Sequence, residues 1–196
     1  MSGPPRGRRP GSPDTRAAIL AAARARFADR GFGGTTIRAV ASDAGVDAAL
    51  VHHYFGTKDD LFLAAMQLPV DPRQLLAPVL AAGVDGAAER FLGVFLSVWD
   101  DPDLQPALLA VARGVMEPGG GKLLSEGFLP VVVRPLADAL GVDRADHRMP
   151  LVASQMVGLI LVRYVLRIEP LASLPAEQVV ATYAPTIQRY LAEPLP

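Results

Sequence analysis

Apolar residues recur at three- and four-residue intervals along most of this chain, and Gly, Pro or polar clusters separate the runs. Ile19 or Leu20, Ala23 and Phe27 mark one stripe, which predicts a first helix over 14–30 with Gly31 as its stop. Val40, Ala41 and Ala44 predict a second over 36–44. Thr35 or Thr36 caps it, and Gly45 ends it where a left-handed backbone costs glycine nothing. Val46, Leu50, Val51 and Tyr54 or Phe55 close a small core under a third helix over 48–54. Thr57 and Asp60 fit a capping box, opening a fourth helix from Lys58 to about Leu68 that Pro69 ends. Further helices are predicted at about 72–82, 85–99, 103–115, 122–140, 145–168 and 175–192. No run alternates with the two-residue period of a strand, and Val131 to Val133 is too short to count as one. The expectation is an all-α fold.

The stretch 35–58 is the most informative. Two short helices joined at Gly45 have the layout of a helix-turn-helix, which places its second helix in the major groove of DNA. Packing of Ile37, Ala41, Gly45 and Val51 leaves Asp47, Ala48, Ala49, His52 and His53 outside. Small alanines permit close approach to a groove, their methyls can touch thymine methyls, and histidine can reach bases or phosphates. An ordinary helical hairpin is the competing reading of the turn alone. Lys58, in the first turn of the next helix, opposes that helix's dipole by roughly 0.3–1 kcal/mol, and a phosphate would offset this.

With these residues the chain resembles the TetR family of bacterial one-component transcriptional regulators. The likeness starts at Thr15-Arg16-Ala17-Ala18-Ile19-Leu20 and passes Ala23, Phe27 and Gly31-Phe32. It continues through Thr35 to Val46 and Val51 to Phe55, and closes with Gly56-Thr57-Lys58-Asp59-Asp60-Leu61. It covers about the first third of the chain. His52-His53-Tyr54 departs from the Tyr-Tyr-His order of many relatives, keeping the chemistry but redistributing it.

The resemblance implies a homodimer that binds double-stranded DNA at a palindromic operator, acting as a ligand-responsive repressor. Thr36 would hold a phosphate and Arg38 would reach a base or phosphate. Asp47, Ala48, Ala49, His52 and His53 would lie on the recognition helix, and Tyr54 and Lys58 would grip the backbone. The implied organisation is a disordered basic arm over 1–13, a three-helix DNA-binding head over 14–57, and a larger helical body over 58–196 for ligand binding and dimerisation.

Charge agrees with that division. Residues 1–58 hold nine Lys or Arg against four Asp or Glu, whereas the remainder holds ten against sixteen. A basic head on an acidic body suits a head that meets phosphates. Arg6, Arg8 and Arg9 in the arm could enter a minor groove, with a solubilising tail of no further role as the competing reading. There is no cysteine, which excludes disulfides and thiolate chemistry. No apolar leader opens the chain, and Ser154, Gln155, Arg163, Arg167 and Glu169 interrupt the apolar run 151–171. The expectation is a soluble cytoplasmic protein without a membrane partner.

The body is less telling. Phe91, Phe95, Trp99, Met116, Phe128, Met156 and Tyr164 are candidates to line a pocket for a small hydrophobic or aromatic ligand, with plain core packing as the competing reading. The last two helices are apolar on several faces, so Gln155, Met156, Leu159, Val162, Tyr183, Ile187 and Tyr190 are candidates for a dimer interface. Asp143, Asp146 and His147 match no metal-ligand spacing, and no nucleophile elbow, phosphate loop or dinucleotide fingerprint occurs. No catalytic residue, metal or cofactor is expected. The alternative function is a small-molecule-binding helical dimer without specific DNA readout.

Overall fold

The computed structural model describes residues 13–195, which are helical with no strand. The arm carrying Arg6, Arg8 and Arg9 lies outside the described residues. The chain divides into two compact units between Met66 and Gln67.

The first unit holds α1 (Pro13–Arg30), α2 (Ile37–Ala44), α3 (Ala48–Phe55) and α4 (Lys58–Met66). Ile19, Ala23 and Phe27, spaced by four on α1, are all fully buried. Val40 and Ala41 of α2, Val51 and Phe55 of α3, and Leu61 and Phe62 of α4 complete the core. Phe62 meets Phe27 and Phe32 edge-on, with ring centroids 5.1 and 5.5 Å away. Each such pair contributes about 0.5–1.5 kcal/mol beyond burial. The unit boundary therefore falls at the far end of α4, which packs on α1 and α3. Gln67, at φ 55°, ends α4 short of Pro69.

The second unit comprises α5 (Pro72–Ala81), α6 (Ala87–Trp99), α7 (Gln105–Met116), α8 (120–139), α9 (Ala145–Val165) and α10 (Ala176–Ala192). Its core runs through Ala88, Leu92 and Leu96 of α6, Val152, Met156 and Leu159 of α9, and Val179, Ile187 and Leu191 of α10. Helix ends are satisfied from a distance. Gly86 offers α6 no side-chain cap, and Gln188 of α10 replaces it, accepting from the Ala88 N–H at 3.1 Å and donating to the Val84 carbonyl at 3.0 Å. The buried Arg148 donates to the carbonyls of Tyr190 and Glu193 at 2.8 and 2.9 Å, closing α10 where orphan carbonyls favour a cation.

The two long helices are not regular. α8 winds in wide i→i+5 turns over Leu123–Val133, and α9 does so over Ile160–Val165. Pro130 sits within the first of these. In a regular helix its ring would press on the carbonyl four residues back, and the wider turn gives it room. By length and composition alone α9 is apolar enough to cross a membrane. Its Val152, Met156, Leu159 and Tyr164, however, serve the core, and its Arg148 and Arg163 are buried with carbonyl partners.

Candidate DNA-binding interface

Thr36 caps α2: its hydroxyl oxygen accepts from the Ala39 N–H at 3.2 Å, which leaves its own proton free to donate outward. The neighbouring Thr35 does a different job. It is fully buried, and its hydroxyl donates to the Gly31 carbonyl at 2.8 Å. Gly45 adopts φ 66°, and the following Val46 N–H reaches back to the Ala41 carbonyl at 2.9 Å, so the chain turns tightly into α3. An added Cβ there would meet open space, so the demand for glycine is conformational only. Asp47 caps α3 through a carboxylate oxygen 2.7 Å from the Ala49 N–H.

α3 then sorts its residues by period. Val51 and Phe55 turn into the core, while Ala49, His52 and His53 are exposed and Ala48 and Tyr54 half-buried. Arg38 of α2 is also exposed. Thr36, Arg38, Asp47, Ala49, His52 and His53 are thus presented outward and Ala48 and Tyr54 partly so, whereas Lys58 is turned to the protein. Arg16 covers the other side of Phe55, its guanidinium 5.2 Å from the ring centre. Arg26 and Asp43 form a two-point pair that ties α1 to α2. That hydrogen bonding holds the Asp43 carboxyl below the usual carboxylate range and raises Arg26.

Lys58 is the exception. Its ammonium donates to the carbonyls of Phe32 at 2.8 Å and Thr35 at 3.0 Å, and lies 4.1 Å from the centre of the Phe32 ring. The charge therefore serves the α1–α2 connection rather than standing out as a backbone grip, because two backbone carbonyls and an aromatic face hold it there. The Thr57–Asp60 capping box forms as the sequence predicts: Asp60 N–H to the Thr57 hydroxyl at 3.1 Å, Thr57 N–H to the Asp60 carboxylate at 3.2 Å.

In the second unit, four of the aromatic candidates form a ladder. Phe91 to Phe95 is 6.2 Å between ring centres, Phe95 to Trp99 is 5.7 Å, and Trp99 to Tyr164 is 5.0 Å. Met156 belongs to the same core, but Phe128 and Met116 lie outside it, and Met116 is 56% exposed. A polar knot ends the ladder. The Tyr164 hydroxyl donates to Asp100 at 2.9 Å, and the buried Arg163 pairs with Asp100 while donating to the carbonyls of Leu171 and Leu174 at 2.8 Å. Sequence reasoning missed this knot, because Asp100 and Tyr164 are 64 residues apart and no local pattern joins them.

The dimer candidates need correcting. Met156, Leu159 and Ile187 are 8%, 0% and 0% exposed inside the subunit, so they have no surface to offer a partner. Gln155, Val162, Tyr183 and Tyr190 are half-buried. The exposed positions are Ser154 and Val157 on α9, with Gly158 and Leu161 half-buried beside them, and Ala181, Thr182, Pro185 and Thr186 on α10. Asp143 pairs with Arg148 and Asp146 with Arg134. No group of three or more potential metal ligands occurs among the described residues.

Comparison with known proteins gives two family-model matches. One, for bacterial regulatory proteins of the tetR family, covers residues 19–65. The other, for a tetracyclin repressor-like C-terminal domain, covers residues 85–191. A TetR-family regulator from Streptomyces coelicolor A3, known as a crystal structure, is 41% identical, covers 94% of this chain and 98% of its own, and superposes with a TM-score of 0.51. The HTH-type transcriptional regulator BetI of Brucella anthropi is 33% identical over 102 residues, 44% of this chain and 52% of that protein. The HTH-type transcriptional dual regulator CecR of Shigella flexneri is 43% identical over 53 residues, 27% of this chain and 23% of that protein. The match thus spans about half the length of the first of these curated relatives and less of the second.

Proposed function

The chain belongs to the TetR family of bacterial transcriptional regulators, and from that premise we propose that it binds a palindromic operator as a homodimer and is released by a small ligand. Each head seats α3 in the major groove, with Thr36 donating to a phosphate and Arg38 reaching a base edge or phosphate. The two heads read half-sites one helical turn, about 34–36 Å, or a multiple of it apart. Occupying that site beside a promoter makes it a repressor, acting in the cytoplasm where the DNA is.

One observation carries this reading. Ala49, His52 and His53 stand on the outside of a capped two-turn helix whose other face is fully spent on the core. The ligand is apolar or aromatic. The half-buried Phe91 and Phe95 supply rungs for it, continuous with Trp99 and Tyr164. Ligand and operator oppose one another: whatever factor the ligand takes from DNA affinity, DNA takes from ligand affinity.

The test is binding to the DNA flanking the protein's own coding region, with scrambled duplex as competitor. The wild type should hold its site against scrambled DNA by a ratio of about 10³ or more. The double substitution His52→Ala, His53→Ala should collapse that ratio while leaving the helical content intact. Equal competition by both duplexes with the wild type would favour a ligand-binding dimer without specific readout.

A further inference from the structure

The exposed ring of His52 is not free to choose its tautomer. Its Nδ1 lies 2.8 Å from the carbonyl oxygen of Gly56, one helical turn onward. That carbonyl is aimed by the backbone of Gly56, at φ 75° and ψ −101°, a conformation that side-chain-bearing residues rarely adopt. The same glycine's N–H donates to the His52 carbonyl at 2.8 Å, so residue 56 holds both ends of the turn. A carbonyl oxygen only accepts, so the proton of the neutral ring sits on Nδ1. Nε2, across the ring on an exposed side chain, then offers a lone pair and nothing else.

This removes most of what a histidine on a recognition helix could touch. Phosphate oxygens are acceptors and so are guanine N7 and O6 and thymine O4; none can pair with a bare lone pair. The major groove carries two exocyclic amines that can: N6 of adenine and N4 of cytosine. Ala48 and Ala49 lie four and three residues earlier on α3, and their short side chains leave the ring's approach to a base edge open. We propose that His52 is a specificity-determining residue, reading the amino group of an adenine or a cytosine through Nε2, with Gly56 as the positioning residue that sets the tautomer. The assignment rests on the DNA-binding reading above and divides a role that the residue type alone leaves open between base and phosphate.

The experiment is selection from a random duplex library at pH 8.5, where imidazoles are neutral, using the wild-type chain and His52→Ala. The wild type should enrich an inverted repeat. In each half-site, one base pair should be preferred in one orientation, and His52→Ala should lose that preference by about 5- to 150-fold. The other positions and the salt dependence should be unchanged. Every base pair holds one such amine, so that pair is then rebuilt without it, purine replacing adenine or 2-pyrimidinone replacing cytosine. Wild-type affinity that does not fall would overturn the assignment, as would a uniform loss of affinity in His52→Ala with a shallower salt slope, the mark of a phosphate contact. Failure of the wild type to enrich any sequence would instead sink the DNA reading and this assignment with it. Nitrogen-15 spectra of the free protein give a second, independent readout. A protonated Nδ1 and bare Nε2 on His52 are required, and the opposite tautomer refutes the proposal whatever the library returns.

Discussion

At the scale of single residues, Lys58 separates what a sequence says from what a structure does. Read along the chain, it is a cation placed against a helix dipole, where a phosphate would relieve it. In the folded head, its stem carries the charge to carbonyls 26 and 23 residues earlier, and the dipole is relieved within the protein. Lys58→Ala should therefore act on stability. Losing the hydrogen bonds of a charged donor costs about 1.5–3 kcal/mol, read as a lower denaturant midpoint for the head. The slope of DNA affinity against salt should stay as in the wild type. A drop of about one unit in that slope with stability intact would return Lys58 to the phosphate contacts. The caps at Thr36 and Asp47 were legible because a cap is a local relation, two or three residues long. The His52–Gly56 bond is nearly as local, yet it depends on the direction of one carbonyl, which the residue names do not encode.

At the scale of elements, apolar spacing located every helix of the head, and the larger segments beyond, to within a few residues. It did not foresee the wide turns in α8 and α9, since the side-chain period hardly changes when a few hydrogen bonds lengthen their reach. Nor did it foresee how α6 and α9 are tied together. The Trp99–Tyr164 ring contact and the Tyr164–Asp100 hydrogen bond join them. Burial first, then donation to Asp100, raise the Tyr164 phenol well above its ordinary value. A raised pKa means that the folded state keeps its proton longer than the unfolded chain. The contribution is whole below the unfolded value near pH 10 and fades as pH climbs toward the folded one. Unfolding measured from pH 8 to 11 should show stability falling above about pH 10. Tyr164→Phe should flatten that fall and cost about 1 kcal/mol at neutral pH for the lost bond. An identical alkaline profile in the two proteins would show that Tyr164 is not its source.

At the scale of the whole molecule, the sequence reading ends the head at residue 57, whereas the compact unit runs on to Met66, and three of the apolar residues read as interfacial are spent inside the subunit. Met156, Leu159 and Ile187 looked interfacial because α9 and α10 are apolar on more than one side. The fold turns one apolar stripe of each helix into its own core and leaves another less covered, a choice that periodicity alone does not rank. Gly158 is the sharpest case: an added Cβ would meet open space, so a helix of a second copy can approach the backbone there. Gly158→Trp should leave the subunit folded yet halve the mass of the sedimenting particle, with operator affinity falling as the paired heads separate. A dimer that survives this substitution would move the interface off α9.

The claim beneath all of this is that the outer face of α3 meets duplex edges. Backbone amide spectra of the isotope-labelled protein, recorded with and without the enriched duplex, test it directly. The account expects the largest shifts at 36–38 and 47–54, together with the His52 ring, and none of comparable size on the buried side of α1. Shifts confined to another surface, with α3 unmoved by saturating DNA, would contradict it.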